Sequence, residues 1–450
     1  MHILLLNPPA KNIILRDYYC SKVSKASYVL HPVDLCMLSG TLASRHAVSV
    51  IDAIAERLSE DACLSRIADL NIDAVIFLAG QVSYKNDLLF IRKVKEQTRA
   101  KTIGTGDIFM EDGDRTLKEN PFLDAIILDF TTDDILKFLD GKKADNMVYA
   151  GCGTSSREIW KEFSIPVPRH ELFKNRLYTS PFMKHHTLVT VLTDYGCPYK
   201  CDFCIMGALG YKFRGVENVM DELLHIRSMG IRELYFDDQT FGANKERTLA
   251  LLAKMRGMGF SWSCLSRADI MSDDLARAMK DSGCHTAIMG VESGSQKLLD
   301  RHHKNTTITG IKKGFHICHK HGINTVGTFM FGLPGETEND ILDTIDFAVA
   351  LGCDYASFNT AVPRMNTRLL KDAVSGRLIT GELCEMDQSG NCGVLGMGDL
   401  SAEKIRYFRK KAICRFYFRP SYLLKRLKKI TTLYELRSNI INGLAIWGKR

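Results

Sequence analysis

The chain has 450 residues, of which 45% are hydrophobic and 25% charged, values that exclude a disordered polymer and a length that indicates two or three domains. No run of about 18 apolar residues could form a membrane-spanning helix, and the N-terminus lacks the basic region of a signal peptide. We therefore expect a cytoplasmic protein, in which the 14 cysteines indicate metal binding rather than disulfides.

The net charge of +8 is concentrated near the C-terminus. Residues 401–450 contain 14 Lys and Arg against 2 Asp and Glu, whereas the rest of the chain contains 46 against 50. The basic character is therefore a property of one segment.

Residues 1–142 alternate short apolar runs with stretches of helical period. Predicted helices include Pro32–Arg45, Leu64–Leu70 and Asn86–Thr98. The alternation predicts an α/β domain with a doubly wound parallel sheet, Rossmann-like and in flavodoxin-type strand order. Its predicted strands are Ile3–Asn7, Val48–Ile51, Ala74–Leu78, Thr102–Gly104 and Ala125–Leu128.

Small and polar residues follow the third and fourth of these strands, at Gln81, Ser83, Gly104 and Gly106. Ligands of doubly wound sheets bind at the carboxyl ends of the strands, and glycine lets the backbone approach a flat ligand closely. These four residues are therefore candidates to face a ligand. The alternative is that the glycines only form tight turns.

Residues 143–186 have no regular period and are predicted to be a connector. A second alternation over residues 187–375 predicts a partial (β/α)6 barrel, whose functional residues lie at the carboxyl ends of the strands. Residues 376–450 are predicted to form a basic, mostly helical C-terminal region. The six predicted barrel strands are Thr187–Leu192, Glu233–Phe236, Ser261–Leu265, Thr286–Gly290, Thr325–Phe331 and Tyr355–Thr360.

Three cysteines follow the first predicted barrel strand with the spacing C-x3-C-x2-C, at Cys197, Cys201 and Cys204. Thiolates suit iron–sulfur clusters, and three ligands on a [4Fe–4S] cube leave one iron open to an exchangeable ligand. The alternative is a zinc knuckle without its fourth ligand, although zinc sites favour C-x2-C pairs.

This motif, at the end of a first barrel strand, resembles the signature of the radical S-adenosylmethionine superfamily. The later strand ends are similar to further motifs of that superfamily. They read YFDDQTF at 235–241, SCLSRAD at 263–269, GVESGS at 290–295, GTFMFGLPGET at 327–337 and NTAVP at 359–363. The resemblance implies that Cys197, Cys201 and Cys204 hold a [4Fe–4S] cluster, which cleaves S-adenosylmethionine to a radical after receiving an electron.

The resemblance also implies the binding residues for S-adenosylmethionine. Asp237 or Asp238 would accept hydrogen bonds from the methionine ammonium. Arg267 could pair with a carboxylate of the cofactor or the substrate, and its alternative is a surface salt bridge.

Four further residues complete the implied cofactor site. The segment with Glu292 and Ser293 is similar to the one that approaches the ribose. Phe203 and Gly332 belong to segments that lie near the adenine in relatives. Packing of Phe203 and capping of the barrel rim by Glu292 are the alternatives.

A doubly wound domain before such a barrel resembles the cobalamin-binding subgroup of the superfamily, which includes methyltransferases and the anaerobic ring-closing enzyme of chlorophyll synthesis. The openings Asn7-Pro8-Pro9 and Pro32-Val33-Asp34-Leu35 carry this resemblance. The D-x-H-x-x-G motif that supplies a histidine to cobalt is absent. Cobalamin could bind without that histidine, and a fold that has lost its corrin is the alternative.

The resemblance implies a radical enzyme that acts on an unactivated carbon of a small molecule and takes electrons from a donor such as flavodoxin or ferredoxin. Cobalamin-dependent methyl transfer is the leading hypothesis. A cyclase or oxidoreductase, a methylthiotransferase without cobalamin, and a non-enzymatic iron–sulfur redox sensor are the alternatives. Cys20, Cys36 and Cys63 do not lie where methylthiotransferases carry their extra cysteines, and Cys384 and Cys392 are weak candidates for a second cluster.

Residues 402–430 mix basic and apolar residues and are interrupted by Pro420. Such a segment can lie on an anionic membrane, which would suit a lipid-like substrate and a peripheral location. We do not expect a nucleic-acid partner. The alternative is a C-terminal cap that packs its apolar side on the barrel.

Overall fold

The structure is a computed structural model, and it describes residues 1–18, 20–25, 28–110, 112–150, 161–364, 367–376, 387 and 400–429. Cys384 and Cys392 lie outside the described residues, so the hypothesis of a second cluster is not addressed. Within the described chain, no helix combines the length and the apolar character needed to cross a bilayer.

The N-terminal domain is a six-stranded sheet in the order β4-β1-β5-β6-β7-β8. The first five strands pair in parallel, and β8 closes the edge in antiparallel orientation. This confirms the predicted flavodoxin-type order. The strands are β1 (His2–Asn7), β2 (Ile14–Leu15), β3 (Lys22–Val23), β4 (Ala47–Asp52), β5 (Ala74–Leu78), β6 (Lys101–Thr105), β7 (Ala125–Ile127) and β8 (Met147–Tyr149), with β2 and β3 forming a separate hairpin.

Apolar strands explain why this sheet is covered on both faces. The five residues of β5 are all buried, as expected for a parallel strand between two helical layers. The sheet runs past the predicted boundary at residue 142, because β8 pairs with β7. The helices are α1 (Val33–Ala43), α2 (Glu60–Ala68), α3 (Tyr84–Thr98), α4 (Gly113–Glu119) and α5 (Asp134–Leu139).

The second domain is a six-stranded parallel sheet whose strands follow chain order, which is the predicted partial (β/α)6 barrel. All five strand pairs are parallel, so their carboxyl ends meet at one edge. The strands are β10 (Leu188–Val191), β13 (Glu233–Phe236), β14 (Ser261–Arg267), β15 (Cys284–Glu292), β16 (Asn324–Phe331) and β17 (Tyr355–Thr360). The helices are α7 (Val216–Ser228), α8 (Lys245–Met255), α9 (Asp273–Asp281), α10 (Gln296–Arg301), α11 (Ile308–Lys320) and α12 (Glu338–Ala350).

A small three-stranded sheet, in the order β11-β12-β9, lies beside the first barrel strand. It contains β9 (Glu162–Phe163), β11 (Asp194–Gly196) and β12 (Tyr211–Arg214). The antiparallel pair β11 and β12 flanks the loop that carries the three cysteines, and the short helix α6 (Met206–Leu209) ends that loop.

The C-terminal region packs on the barrel through α14 (Ala402–Tyr417) and α15 (Pro420–Lys429), which follow α13 (Arg368–Ser375). Phe408, Ala412 and Phe416 are buried in the barrel core. The Tyr417 hydroxyl donates to the Ala356 carbonyl of β17 at 2.7 Å. The structure therefore shows a cap on the barrel, and Pro420 marks the start of the second helix of that cap.

Candidate active site

One cavity of about 840 Å³ lies between the two domains, at the carboxyl ends of the barrel strands. It is lined by the cysteine loop, by the ends of the barrel strands, by α14 and α15, and by five residues of the N-terminal domain. We call these five the N-terminal wall: Cys20, Lys22, Lys25, Tyr28 and Leu30.

Gly196 and Gly210 bring the two ends of the cysteine loop together. The Cys197 N–H donates to the Gly210 carbonyl at 3.0 Å. Gly196 has φ +74°, and a Cβ atom at this position would lie 1.9 Å from the Gly210 oxygen. Glycine is therefore required at position 196, both by the backbone conformation and by the close approach of the two chain segments.

Cys197, Cys201 and Cys204 all line the cavity. In the described parts of the chain, no three His, Cys, Asp or Glu side chains converge on one point as they would around a single metal ion. Each thiolate of a [4Fe–4S] cube binds a different iron, and three thiols on one short loop can supply three of its four ligands. The donor set therefore fits a [4Fe–4S] cluster.

Arg267 lies next to the cysteine loop, as the sequence predicts. Its guanidinium forms a bidentate pair with Asp269, at 3.0 and 2.8 Å, and lies 3.9 Å above the Tyr199 ring. One of its nitrogens is 3.9 Å from the Cys201 sulfur. Arg267 is buried and lines the cavity, so the surface salt bridge that was its alternative is wrong.

Glu292 lines the cavity from the end of β15 and forms a buried ion pair with Lys304 at 2.9 Å. Its φ of +66° is unusual for a residue with a side chain, and the β15–β16 register shifts at this point. A Cβ at Gly290 would lie 2.4 Å from the Glu292 carboxylate, so this glycine makes room for the pair. Burial lowers the pKa of Lys304, but Glu292 and Cys201 outweigh it and raise that pKa, so the ammonium stays charged.

The aspartates after β13 are not among the described residues that line the cavity, and their binding of the methionine ammonium stays a prediction. Asp238 accepts hydrogen bonds from the backbone N–H groups of Thr193 and Asp194, at 2.6 and 2.8 Å. It thus anchors the start of β11. Asp237 is buried, and burial together with Asp17 raises its pKa well above the usual value. Gln239, which follows Asp238 in the chain, lines the cavity.

Ser293 and Gly332 also lie off the cavity wall, whereas Phe203 lines it as predicted. The Ser293 hydroxyl lies 3.1 Å from that of Thr344 in α12 and fixes the turn after β15. Gly332 has φ +87°, and its Cβ position is filled by Ile405 of the C-terminal cap. Both residues were predicted from the resemblance of their segments to those that approach the ribose and the adenine, and their binding role stays a prediction.

None of the four residues predicted to face a ligand in the N-terminal domain lines the cavity. The Gln81 N–H donates to Asp107, and a Cβ at Gly104 would meet the Phe109 ring at 2.7 Å. Gly106 has φ +123°, and a Cβ there would lie 2.1 Å from the Ala79 oxygen. These contacts show what the small residues do for turns and packing, and the prediction that they face a ligand stays untested.

The β2–β3 hairpin covers the carboxyl ends of the N-terminal strands. Arg16 pairs with Asp87 at 2.7 Å, with both side chains fully buried. It also donates to Ser83 at 3.1 Å and to Asn7 at 2.7 Å. Access to this domain is therefore through the N-terminal wall rather than through the strand ends themselves.

Sequence reasoning missed several residues of the site. Lys304 and Gln239 line the cavity, and Tyr199 lies beneath Arg267 although it belongs to the cysteine motif. His302 and His303 brace the cysteine loop. The His302 carbonyl accepts from the Asp202 N–H at 3.1 Å, and the His303 ring lies 3.0 Å from the Asp202 carboxylate. Nothing in the sequence predicts these contacts, because Asp202 lies about a hundred residues before the two histidines.

Comparisons with known proteins agree with this geometry. Residues 191–348 match the model of the Radical SAM superfamily. An uncharacterized methyltransferase of Pyrococcus horikoshii is 29% identical over 455 residues, which are 94% of this chain and 94% of that protein.

Two solved structures resemble the chain along its full length. The radical S-adenosylmethionine methyltransferase TsrM from Kitasatospora setae, with cobalamin and a [4Fe–4S] cluster bound, gives a TM-score of 0.70 at 16% identity, covering 99% of both chains. The cobalamin-dependent S-adenosylmethionine radical enzyme OxsB, with aqua-cobalamin and S-adenosylmethionine bound, gives a TM-score of 0.71 at 15% identity, covering 99% of this chain and 72% of that chain. These likenesses concern the fold.

Residues 191–348 therefore form a radical S-adenosylmethionine domain, which implies an enzyme with a [4Fe–4S] cluster and S-adenosylmethionine as its cofactors. The purely regulatory alternative, an iron–sulfur redox sensor, is therefore set aside.

Proposed function

We propose that the protein transfers a methyl group to an unactivated carbon of a small molecule in a cobalamin-dependent reaction. The observation that supports this most is that one cavity is lined both by the three cysteines and by the N-terminal wall. A cofactor held by the first domain would therefore face the cofactor held by the second. The methyltransferase relative and the two cobalamin-bound structures favour the same reaction.

Cys197, Cys201 and Cys204 are proposed to hold the cluster. A cluster with three protein ligands supplies an open iron that binds S-adenosylmethionine and delivers the electron that cleaves it. Arg267 and the Glu292–Lys304 pair lie beside the cysteines, where they can bind the polar groups of that molecule.

Cobalamin is proposed to lie against the N-terminal wall and to supply a methyl carrier. Among the described residues that line the cavity, none is a histidine. The protein is therefore expected to bind the corrin without a histidine ligand on cobalt, in agreement with the missing D-x-H-x-x-G motif. Tyr28 and Leu30 offer the flat and apolar surface that a corrin face can contact.

The methylthiotransferase alternative is disfavoured by the positions of the N-terminal cysteines. Cys36 lies in α1 and Cys63 in α2, and both are buried, whereas Cys20 lines the cavity. The three thiols therefore do not form a second cluster site at the strand ends.

Cluster and corrin are tested together by anaerobic reconstitution with iron and sulfide, with cobalamin added, followed by absorption spectroscopy and iron analysis. We expect about four irons per chain and bound cobalamin. Replacing Cys197, Cys201 and Cys204 with alanine should abolish the iron, whereas Cys414→Ala, at an exposed cysteine, should not. A triple variant that keeps its cluster would refute the site.

The reaction is tested by adding a reductant, either dithionite or reduced flavodoxin, and S-adenosylmethionine to the reconstituted enzyme. Methyl transfer predicts S-adenosylhomocysteine, accompanied by 5′-deoxyadenosine when a substrate radical forms. A cyclase or oxidoreductase without cobalamin predicts 5′-deoxyadenosine alone, and this result would overturn the methyl-transfer proposal.

A lipid-like substrate and contact of the basic C-terminal region with an anionic membrane are kept as hypotheses. The cap buries most of the apolar side of α14 but leaves Tyr407, Phe418, Leu423 and Leu424 exposed. Sedimentation with anionic liposomes is the test, with the double variant Leu423→Gln, Leu424→Gln as the control. Equal sedimentation with and without liposomes would dismiss membrane contact.

A further inference from the structure

The cavity wall carries much more positive than negative charge. Eight Lys and Arg residues line it, whereas Glu292 is the one acidic residue among the described lining residues, and Lys304 already neutralises it. The eight cations are Lys22, Lys25, Arg267, Lys304, Arg364, Arg409, Lys410 and Arg426. Most of these eight cations already bind a group of the protein, so only some of them can also bind a ligand.

Two of these cations converge on one carbonyl oxygen at the end of β17. The Lys25 ammonium donates to the Phe358 oxygen at 3.0 Å, and the Arg409 Nε donates to the same oxygen at 3.1 Å. The Lys25 ammonium also donates to the side chains of Ser357 and Asn359, at 2.9 and 2.6 Å. All of these acceptors are neutral.

Within the described residues, the positive charge of this pair is only partly balanced. Of the acidic groups in that part of the chain, Asp387 acts on both cations, and its carboxylate also accepts from the Val23 N–H at 3.1 Å. Asp387 does not line the cavity, whereas Lys25 and Arg409 do. Burial, followed by Arg409 and Lys22, lowers the pKa of Lys25 well below its usual value, and an anion bound beside the pair would oppose this shift.

The pair and the cysteine loop belong to different barrel strands. The cysteine loop follows β10, whereas Lys25 and Arg409 bind β17 through the Phe358 oxygen. Arg267 and Lys304 lie near Cys201 and line the cavity beside the cysteines. Lys25 and Arg409 therefore line the part of the cavity wall that β17 forms.

The wall around the cation pair is apolar and aromatic. The C-terminal cap supplies Ile413, Tyr417, Phe418 and Tyr422 to the lining, and β17 supplies Tyr355. Such a surface suits an apolar or aromatic ligand body rather than a sugar or a peptide.

We infer that Lys25 and Arg409 form an anion-binding subsite for the substrate, whose carboxylate or phosphate they bind while the C-terminal cap holds its apolar body. This inference rests on the proposed function and adds the class of substrate, an amphipathic organic anion. Carboxylate and phosphate are alternative acceptors of the same charged donors. The subsite would keep the anionic end of the substrate fixed, so that its distal carbon points toward the cluster.

The test uses two probes that share one aromatic skeleton, the anion 1-anilinonaphthalene-8-sulfonate and the neutral N-phenyl-1-naphthylamine. Both are titrated calorimetrically into the reconstituted full-length enzyme without oxygen, with saturating S-adenosylmethionine present to occupy the part of the cavity beside the cysteines. We expect Arg409→Gln and Lys25→Gln each to weaken binding of the anion by about 10-fold or more. Binding of the neutral probe should change by less than about 2-fold.

Controls separate the subsite from general effects. Arg406→Gln removes an exposed charge from the same helix and should leave binding of both probes unchanged. Arg409→Lys keeps a cation and should retain most of the anion binding. Inorganic phosphate should compete with the anionic probe in the unmodified enzyme.

Three results would overturn the inference. Equal weakening of both probes would indicate a packing role for the cations, and equal weakening by Arg406→Gln would indicate diffuse attraction by the basic helix. Complete displacement of the anionic probe by cobalamin would assign the subsite to the phosphate of that cofactor. Because none of these titrations requires cleavage of S-adenosylmethionine, failure of the methyl-transfer proposal would be seen separately.

Discussion

Substitution of Gly196 by alanine provides a quantitative test of how the cysteine loop is held. Gly196 and Gly230 both have positive φ, +74° and +76°. An added Cβ at Gly230 would meet nothing within 4 Å, whereas at Gly196 it would lie 1.9 Å from the Gly210 oxygen. Gly230→Ala therefore measures the cost of a positive φ without a clash, and Gly196→Ala measures that of a positive φ together with a clash.

The expected magnitudes follow from this difference. Alanine in the left-handed region costs about 1–2 kcal/mol, which lowers the apparent melting temperature by about 2–8 °C in a domain of this size. In Gly196→Ala the backbone segments at residues 196 and 210 must also move apart, which breaks the Cys197–Gly210 hydrogen bond of 3.0 Å. An unsatisfied buried N–H adds about 1–3 kcal/mol.

The assay is thermal denaturation of the reconstituted protein, combined with iron analysis. We expect Gly230→Ala to keep its full iron content and Gly196→Ala to lose more than half of it, because Cys197 is displaced with the loop. If Gly196→Ala retains both the iron and the melting temperature of Gly230→Ala, the loop tolerates the clash and the reasoning is refuted.

Three further predictions concern buried charge and packing. Burial raises the pKa of Glu336 from 4.5 to about 8, so the folded state holds this proton more tightly than the unfolded state does. The folded protein therefore loses stability as the pH rises from about 4.5 through 8. Glu336→Gln should therefore become more stable than the unmodified protein over that interval, by up to about 5 kcal/mol, and a constant difference in melting temperature from pH 5 to 9 would contradict this. Glu292→Gln leaves Lys304 buried without its partner and should lower the free energy of unfolding by about 3–5 kcal/mol. The double variant with Lys304→Met should recover part of this loss, and equal melting temperatures of the single and double variants would disprove the coupling. Phe416→Ala should lower the free energy of unfolding by about 3–5 kcal/mol, because this ring is fully buried against the barrel. Tyr407→Ala, on the exposed side of the same helix, should change it by less than about 0.5 kcal/mol, and similar effects in the two variants would show that the cap is not packed as described.

Local pattern was sufficient to predict most of the architecture. Apolar runs of branched residues predicted the strands Ala74–Leu78, Glu233–Phe236 and Tyr355–Thr360 with the bounds that the structure has. Strand–helix alternation then determines a parallel sheet, because consecutive parallel strands need a crossover. The cysteine spacing likewise indicated the loop after β10, since three thiols within eight residues can only be local.

Side-chain direction at the strand ends was not predictable in this way. Asp237 and Asp238 stand where the superfamily resemblance placed them, but the turn after β13 directs Asp238 to the backbone of β11 and leaves Gln239 at the cavity. Gly104 and Gly106 of the N-terminal domain, which were predicted to face a ligand, lie where a Cβ atom would meet Phe109 and the Ala79 oxygen. Within one turn, a sequence pattern does not show which side chain points inward.

The sequence by itself determined the order of the elements, the two sheets and the thiol motif, because each depends on residues that are close along the chain. Only the tertiary structure decided what shares a wall of the cavity with those thiols. Lys25 and Arg409 meet at Phe358 because the N-terminal hairpin and the C-terminal cap both close over the last barrel strand. Periodicity carries no information about such contacts, since they depend on the packing of whole domains.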